Sequence, residues 1–522
     1  MNFLTSNSPI LIIAIPLLAA FLVPLISKAS AKGRNIFVVV VTVFVGILVA
    51  ILAKDVYANG AHIYTLGAAL PDLTLPRGYI VPVRIILEVD GMSIFMGIVT
   101  AIVSLAAVIY SLSFMKRETG QDKFYTLLLL MVVGMFGLEF TGDLFNLFVF
   151  LEILSISGAA LAAFRTRFGD TVEGGFKYIS ISAIAALMVL FAIALLYAQY
   201  GLLNIGALAA VIQFTSLDKL ALALMSIAFL IKLGAVPLHM WVPDTYTVAP
   251  ASITAMLVTA SQACMYALFR TGFTLYGGTI GTTSLGWLVI IMGVLTMFVG
   301  VTMAIPQTDI KRLMSYHAIS QSGYMLLGVG VGLAVLNDPV ALNAYGIQAM
   351  SGGIFHIINH ALYKGLLFLT AGVLFYRLGT RDLNKMGGLA RNMKFTTIFF
   401  IIGALAISGI PPFNGFASKF LIYESVYQFS PILSIIAMLV SIITLASFTK
   451  AFQAAFTGPA LPQFKDVKEA PRSMLIGMGI LAAAIIFFSL CPGLIVDNIV
   501  QPAVDALIDQ GAYINGVMGG GL

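Results

Sequence analysis

IKLGAVPLHMWVPD, residues 231–244, is apolar enough for a membrane helix, yet it carries Lys232 near its start and the helix breakers Gly234, Pro237 and Pro243. Proline removes a backbone donor and clashes with the preceding turn, so the helix that arrives at Ile231 is expected to stop and restart. SGIPPFNGFASK, residues 408–419, repeats the pattern with Gly409, Pro411, Pro412 and Gly415 ahead of Lys419. Unwound backbone at membrane depth is tolerated only against protein or water. Two such breaks, five helices apart, predict a transporter of two inverted repeats with its ion path near the midplane.

The rest of the chain agrees with a membrane setting. Of 522 residues, 60% are hydrophobic and 10% charged, whereas a soluble domain is about a quarter charged. Apolar runs of about 20 residues, each long enough to cross the hydrocarbon core, recur as far as Val500. The expected fold is therefore an all-α polytopic membrane protein of about fourteen helices, with helices 7 (218–240) and 12 (395–428) discontinuous. Residues 1–122 hold the first three helices, 123–275 the first repeat (helices 4–8), 276–457 the second (helices 9–13), and 458–522 the last helix and a short tail. Residues 10–26 lack a basic n-region and contain Pro16 and Pro24, so they read as the first membrane helix rather than a cleaved signal.

Charge sets the topology. The odd-numbered connections hold 20 of the 28 basic residues, among them Lys116, Arg165, Lys177, Lys311, Arg312, Arg381 and Lys450. By the positive-inside rule these connections face the cytoplasm and both termini lie outside; the expected location is a prokaryotic plasma membrane. That distribution explains the net charge of +6 without a nucleic-acid partner. Cys264 and Cys491 form no CxxC pair, so neither an iron–sulfur cluster nor a thiolate zinc site is expected, and no cofactor is assigned. P-loop, dinucleotide and GxSxG signatures are missing too, which directs the reading from catalysis to transport.

Polar residues inside the apolar spans are the candidates for chemistry. Glu152 lies within LFNLFVFLEILSIS (144–157), where a charge costs about 2.5–3.5 kcal/mol and needs a partner or a wet cavity. Lys232 is the expected partner; a pair that only holds two helices together is the competing reading. Lys232 precedes its break, near the negative end of a half-helix, whereas Lys419 follows its break, toward a positive end. That predicts one lysine biased to hold a proton and one biased to release it. Between them FHIINHALYKGLLFL (355–369) sets His356, His360 and Lys364 four residues apart on one helix face, about 12 Å along the axis and drifting about 40° per step. Imidazole donates at one nitrogen and accepts at the other, which suits a relay. Zinc binding by the i, i+4 pair and plain packing histidines remain open alternatives.

Other polar residues carry blander expectations. His317 belongs to the relay, to its entrance, or to an interhelical hydrogen bond. His239, Trp241 and Asp244 lie at the first break, with Asp244 read as a cap, and Asp143 caps the Glu152 helix. Glu139 and Glu424 lie near helix ends and are expected at the interface; Lys177 is expected to snorkel. His62 lies in an outer connection without an evident role.

TGDLFNLFVFLEILSISG, IKLGAVPLHMWVPDTYTVAPASITAML, DIKRLMSYHAISQSGYM, HIINHALYKGLLFL and SGIPPFNGFASKFLI run in order from Thr141 to Ile422. Together they resemble the antiporter-like family shared by large Mrp Na+/H+ antiporter subunits, complex I pumping subunits and membrane-bound hydrogenases. The resemblance implies a Glu–Lys pair at Glu152 and Lys232, a hydrated proton axis through His356, His360 and Lys364, and a terminal Lys419. Where the family usually offers a lysine or histidine on the eighth helix, this sequence has Gln262, which holds water but takes up no proton. The resemblance further implies partners: other membrane subunits, further antiporter-like subunits among them, with protons or Na+ as cargo. About twenty residues follow the last span, so the chain is most similar to the shorter Mrp D type without a lateral helix. The first reading is the proton-translocating subunit of a respiratory complex of hydrogenase or complex I type. The D-type component of a redox-independent Mrp antiporter, a standalone solute transporter and a structural scaffold are the alternatives.

Overall fold

Both predicted breaks are breaks. In the computed structural model, which describes residues 3–66, 72–74, 80–82, 85–277 and 281–518, the chain begins with α1 (Phe3–Ala29) and α2 (Ala31–Asn59). After the connection described below come α3 (Gly91–Phe114), α4 (Gln121–Phe140), α5 (Leu144–Ala162), α6 (Gly169–Tyr200) and the short α7 (Ile205–Val211). The first break separates α8 (Ser216–Leu233) from α9 (Trp241–Val248). Then follow α10 (Ala251–Phe269), α11 (Thr282–Ala304), α12 (Ile310–Ala334), the single turn α13 (Pro339–Ala341) and α14 (Ile347–Leu378). The second break separates α15 (Lys394–Ser408) from α16 (Asn414–Phe429), ahead of α17 (Pro431–Phe452) and α18 (Arg472–Leu490). Three short helices, α19 (Pro492–Ile495), α20 (Gln501–Ile508) and α21 (Gln510–Met518), complete the described chain.

Eleven helices among the described residues are long and apolar enough to cross a membrane, and the protein is a multi-pass membrane protein. α12 does not meet that measure because Lys311, Arg312, His317 and Gln321 dilute its hydropathy; of the half-helices at the breaks, α9, α15 and α16 are short and α8 carries the charges of Asp218, Lys219 and Lys232. The all-α expectation needs one correction. Between α2 and α3 two antiparallel ladders form, β1 (His62–Leu66) with β4 (Ile85–Val89) and β2 (Asp72–Thr74) with β3 (Ile80–Pro82). Lipid does not forbid strands in a connection outside the hydrocarbon, and β-branched runs such as HIYTL and IILEV favour them.

The helices sort by what surrounds them. Every residue of α10, and every residue of α14 from Ala349 to Leu374, is buried; in α12 only Arg312 escapes. The flanking helices keep apolar residues exposed, such as Leu187 and Phe191 on α6 or Ile442 on α17, as lipid-facing surfaces do. Glycines let the central helices approach one another. A Cβ on Gly328 would meet the Ala349 carbonyl at 2.6 Å, and one on Gly323 the Gly293 carbonyl at 2.4 Å. The polar ladder is thus carried by pillars that lipid cannot reach.

Candidate functional site

At the first break α8 ends on Gly234, whose φ of +78° a side chain would strain. The unwound chain finds protein partners: Val236 N donates to Thr296 Oγ1 of α11 at 3.0 Å, and Trp241 Nε1 to the Ile231 carbonyl at 3.0 Å. Lys232, 4% exposed, donates to Ser155 Oγ of α5. The expected ion pair with Glu152 is absent: no carboxylate lies within 4.0 Å of Lys232 among the described residues. Glu152 acts on it only through its field, together with Cys264, and its own Oε1 is buried without a hydrogen-bond partner. One turn along α5, Ser155 occupies the contact that the sequence assigned to Glu152.

At the second break α15 ends on Gly409, φ +71°. Lys419 sits in the second turn of α16, but its stem runs back across the break. Nζ donates to the Ile407 carbonyl at 2.8 Å and to Ser441 Oγ of α17 at 3.0 Å, and it lies 4.8 Å from the Tyr324 ring centre. The ammonium therefore faces the carbonyl end of α15, not the positive end of α16. This corrects the asymmetry expected from helix dipoles: the flexible side chain carries the ammonium away from its backbone position.

The three ladder residues of α14 are fully buried and turn to different neighbours. His356 Nδ1 meets Ser418 Oγ of α16 at 2.9 Å, while its Nε2 meets Gln321 Oε1 of α12 at 3.2 Å and the Tyr363 hydroxyl at 3.1 Å. His360 Nδ1 meets Gln262 Nε2 of α10 at 2.8 Å. Lys364 Nζ donates to the Met314 carbonyl of α12 at 2.8 Å and lies 5.6 Å from the Phe448 ring centre. No direct hydrogen bond joins the three, so protons would need intervening waters to step along them. His317 takes the interhelical option, its Nε2 2.8 Å from Ser447 Oγ of α17, with Nδ1 unpartnered.

Residues 141–444 match the family model described as "NADH:quinone oxidoreductase/Mrp antiporter, TM", and residues 80–125 the one described as "NADH-Ubiquinone oxidoreductase (complex I), chain 5 N-terminus". The chain belongs to the NADH:quinone oxidoreductase/Mrp antiporter membrane family. Glu152, Lys232, Gln262, His317, His356, His360, Lys364 and Lys419 all lie inside the longer match. The chain is similar to the D-type component of the Na(+)/H(+) antiporter of Alkalihalophilus pseudofirmus, 31% identical over 98% of this chain and 99% of that one. It is likewise similar to the N-type component of the NADH-quinone oxidoreductase of Desulforudis audaxviator, 30% identical over 96% and 99%. A chain in the structure of the membrane-bound sulfane sulfur reductase, an archaeal respiratory membrane complex, superposes with a TM-score of 0.84 at 27% identity, covering 98% of this chain and 99% of that one.

Around these buried residues the structure corrects four blander expectations. Glu139 does not reach the interface: it is fully buried, accepts from Thr100 Oγ1 of α3 at 2.7 Å, and leaves Oε2 without a partner. Asp244 caps nothing; it joins Lys177 and Arg312, each at 2.8 Å. Burial alone would raise the Asp244 carboxyl, but its hydrogen bonds and opposite charges outweigh that and hold it below the ordinary value. Lys177 is paired rather than snorkelling freely, with Glu173 as a further partner at 2.7 Å. Lys311, counted among the surface charges, is 4% exposed and donates to the Ala249 carbonyl at 2.5 Å and to Thr254 Oγ1 at 3.1 Å. Beside it, Asp244, Asp309, Arg312 and Arg381 line a polar cavity of about 300 Å³ on the basic face. Asp143 does cap α5, accepting from Asn146 N at 2.8 Å. His62 is buried too, its Nδ1 2.7 Å from Asp55.

Sequence reasoning passed over Ser155, Gln321, Tyr363, Ser418 and Ser441, the neutral partners of the axis. The signal was spacing: Tyr363 lies seven residues after His356, Gln321 four after His317, and Ser155 three after Glu152.

Proposed function

We propose that this chain translocates protons for a multisubunit membrane complex, along an axis from Lys232 through Gln262, His360, His356 and Lys364, with His317 alongside, to Lys419. One contrast carries the reading. At the membrane faces most of the cations described are matched: Arg270 clasps Asp90 at 2.7 and 2.8 Å, and Asp244 binds Lys177 and Arg312, while Lys311 rests on a carbonyl and a hydroxyl. Inside, Lys232, Lys364 and Lys419 have no carboxylate within 4.0 Å among the described residues, only hydroxyls, carbonyls and rings. A permanently charged group buried without its counterion is costly. Lysine, unlike arginine, can release its proton there, and the neutral partners tolerate either state.

The driving partner is a redox subunit of a respiratory complex of hydrogenase or complex I type, a reading supported by the full-length likeness to the archaeal respiratory structure and to the oxidoreductase component. In the second reading the chain is the D-type component of a Mrp-type Na+/H+ antiporter, which the equally complete match to such a component favours. In both, the breaks at Gly234 and Gly409 belong to two inverted repeats, the basic face is cytoplasmic, and the termini lie outside.

The native assembly, purified with its partners and reconstituted into vesicles, tests this. Redox-driven acidification that is lost in Lys232→Met with subunit content unchanged is the expected result. An assembly without redox metals that exchanges Na+ for protons selects the second reading. Unaltered proton movement in Lys232→Met and Lys419→Met removes both.

A further inference from the structure

Gln262 of α10 meets α14 where the halves of the axis join. Its Nε2 lies 2.9 Å from the Ile357 carbonyl and 2.8 Å from His360 Nδ1. A backbone carbonyl only accepts, so the NH2 end of the amide must face Ile357; reversed, the amide would set oxygen against oxygen. The second amide hydrogen then points at His360 Nδ1, which has to accept it. In a neutral imidazole the ring proton must therefore sit on Nε2. Gln262 and His360 are buried, and Gln262 Oε1 and His360 Nε2 have no protein partner among the described residues. The junction thus has one satisfied contact flanked by an open acceptor and an open donor. The charged or titratable groups at the ring are Lys364, His356 and Tyr363 of its own helix, the last packed edge-on at 5.6 Å; α10 offers it an amide and no charge.

We propose that Gln262 is a positioning residue that locks His360 in its Nε2–H tautomer, so that the junction passes no proton through that ring until the amide leaves the Ile357 carbonyl. Relay through imidazole adds a proton at one nitrogen and releases one from the other. With the lock closed, a proton arriving at Nδ1 meets an amide N–H instead of a lone pair. With the amide turned away, Nδ1 gains a proton, the Nε2 proton leaves to the next acceptor, and the ring returns to neutral. The consequence for transport rests on the proton-translocation reading, whereas the tautomer itself does not.

The chain has five histidines, few enough for nitrogen-resolved NMR of the whole protein, labelled at histidine, in its native complex in lipid. His360 is assigned by the lines that vanish in His360→Asn. The expected wild-type spectrum shows His360 with bare Nδ1 and protonated Nε2, favoured by about tenfold, the ratio one net hydrogen bond sustains. In Gln262→Met, similar in length but without a donor, the preference should fall to that of a free imidazole; in Gln262→Glu, whose carboxylate must turn off the Ile357 carbonyl and can then accept from the ring, Nδ1–H should dominate. A wild-type ring protonated at Nδ1, or His360 lines unchanged in both variants, overturns the lock. Should the variants fail to assemble, the wild-type spectrum decides alone. Proton flux separates the two ideas: the expected tautomer together with undiminished flux in Lys232→Met keeps the lock and discards the translocation reading.

Discussion

The two broken helices use one backbone device and surround their lysines differently. α8 and α15 both end on a left-handed glycine, Gly234 and Gly409, and each break directs an ammonium into the protein. At the first, Lys232 rests on one hydroxyl, Ser155, within the field of Glu152. At the second, Lys419 has a carbonyl, a hydroxyl and an aromatic face, without a carboxylate in ion-pair range among the described residues. A break supplies unpaired carbonyls at the end of a half-helix, and those carbonyls can hold an ammonium that acquires no permanent counterion. The first site can be tuned by a neighbouring carboxylate; the second rests on a carbonyl, a hydroxyl and a ring.

The largest effect should come from the lysines. Lys232→Met and Lys419→Met are each expected to lower proton translocation by about 100-fold or more, the scale of losing a positioned proton carrier. Lys→Arg sharpens the point, because arginine keeps the charge and cannot release a proton. Flux measured in vesicles should fall as far in Lys419→Arg as in Lys419→Met. Normal flux in the arginine variant would make the second break a static charge and end the comparison.

A smaller effect separates the breaks. Glu152→Gln removes a field felt by Lys232 and should slow translocation by about tenfold, a coupling of roughly 1.4 kcal/mol across an effective dielectric near 20. Introducing Glu152→Gln into Lys419→Met should add nothing, since one dead step hides another; an additive loss would mean two separate paths.

Smaller still are the hydroxyls. Ser155→Ala takes the one hydrogen-bond acceptor that Lys232 has among the described residues, whereas Ser441→Ala leaves Lys419 the Ile407 carbonyl. With a net hydrogen bond worth about 0.5–1.5 kcal/mol, Ser155→Ala should cost about fivefold in initial rate and Ser441→Ala only about twofold. The reverse order would show that the carbonyl at the second break is not a working substitute.

What the sequence disclosed follows from what it can encode locally. Gly234 and Gly409 announce both breaks, and the i, i+4 spacing of His356, His360 and Lys364 announces a buried polar helix, because backbone rules and helical period act within a few residues. Reach and rotation are decided by neighbours. Glu152 and Ser155 share one face of α5, and only packing of α8 selects the serine for Lys232. The flexible stem of Lys419 carries its ammonium back to Ile407, twelve residues earlier, so a dipole argument anchored on Cα gives the wrong sign of environment. Lys311 and Glu139 sit near helix ends, where exposure is the sound default, and are buried by α10 and α3. Tertiary contacts, absent from any window of sequence, made each of those choices.

The smallest effect on flux is expected from the glycines, and it falls unequally. Alanine in the left-handed region costs about 1–2 kcal/mol at either break. At Gly234 the added Cβ also meets Val242 Cγ2 at 2.4 Å, a side chain of α9 that must move; at Gly409 it meets Lys419 Cδ at 3.0 Å. Gly234→Ala should therefore lower the thermal midpoint of the assembled complex more than Gly409→Ala. Gly409→Ala should show the larger change in flux relative to its stability loss, because the atom it displaces belongs to Lys419, the side chain proposed to carry the proton. Equal stability losses with equal flux would mean that Lys419 adjusts freely, and that its place over the Ile407 carbonyl is a resting position rather than a requirement.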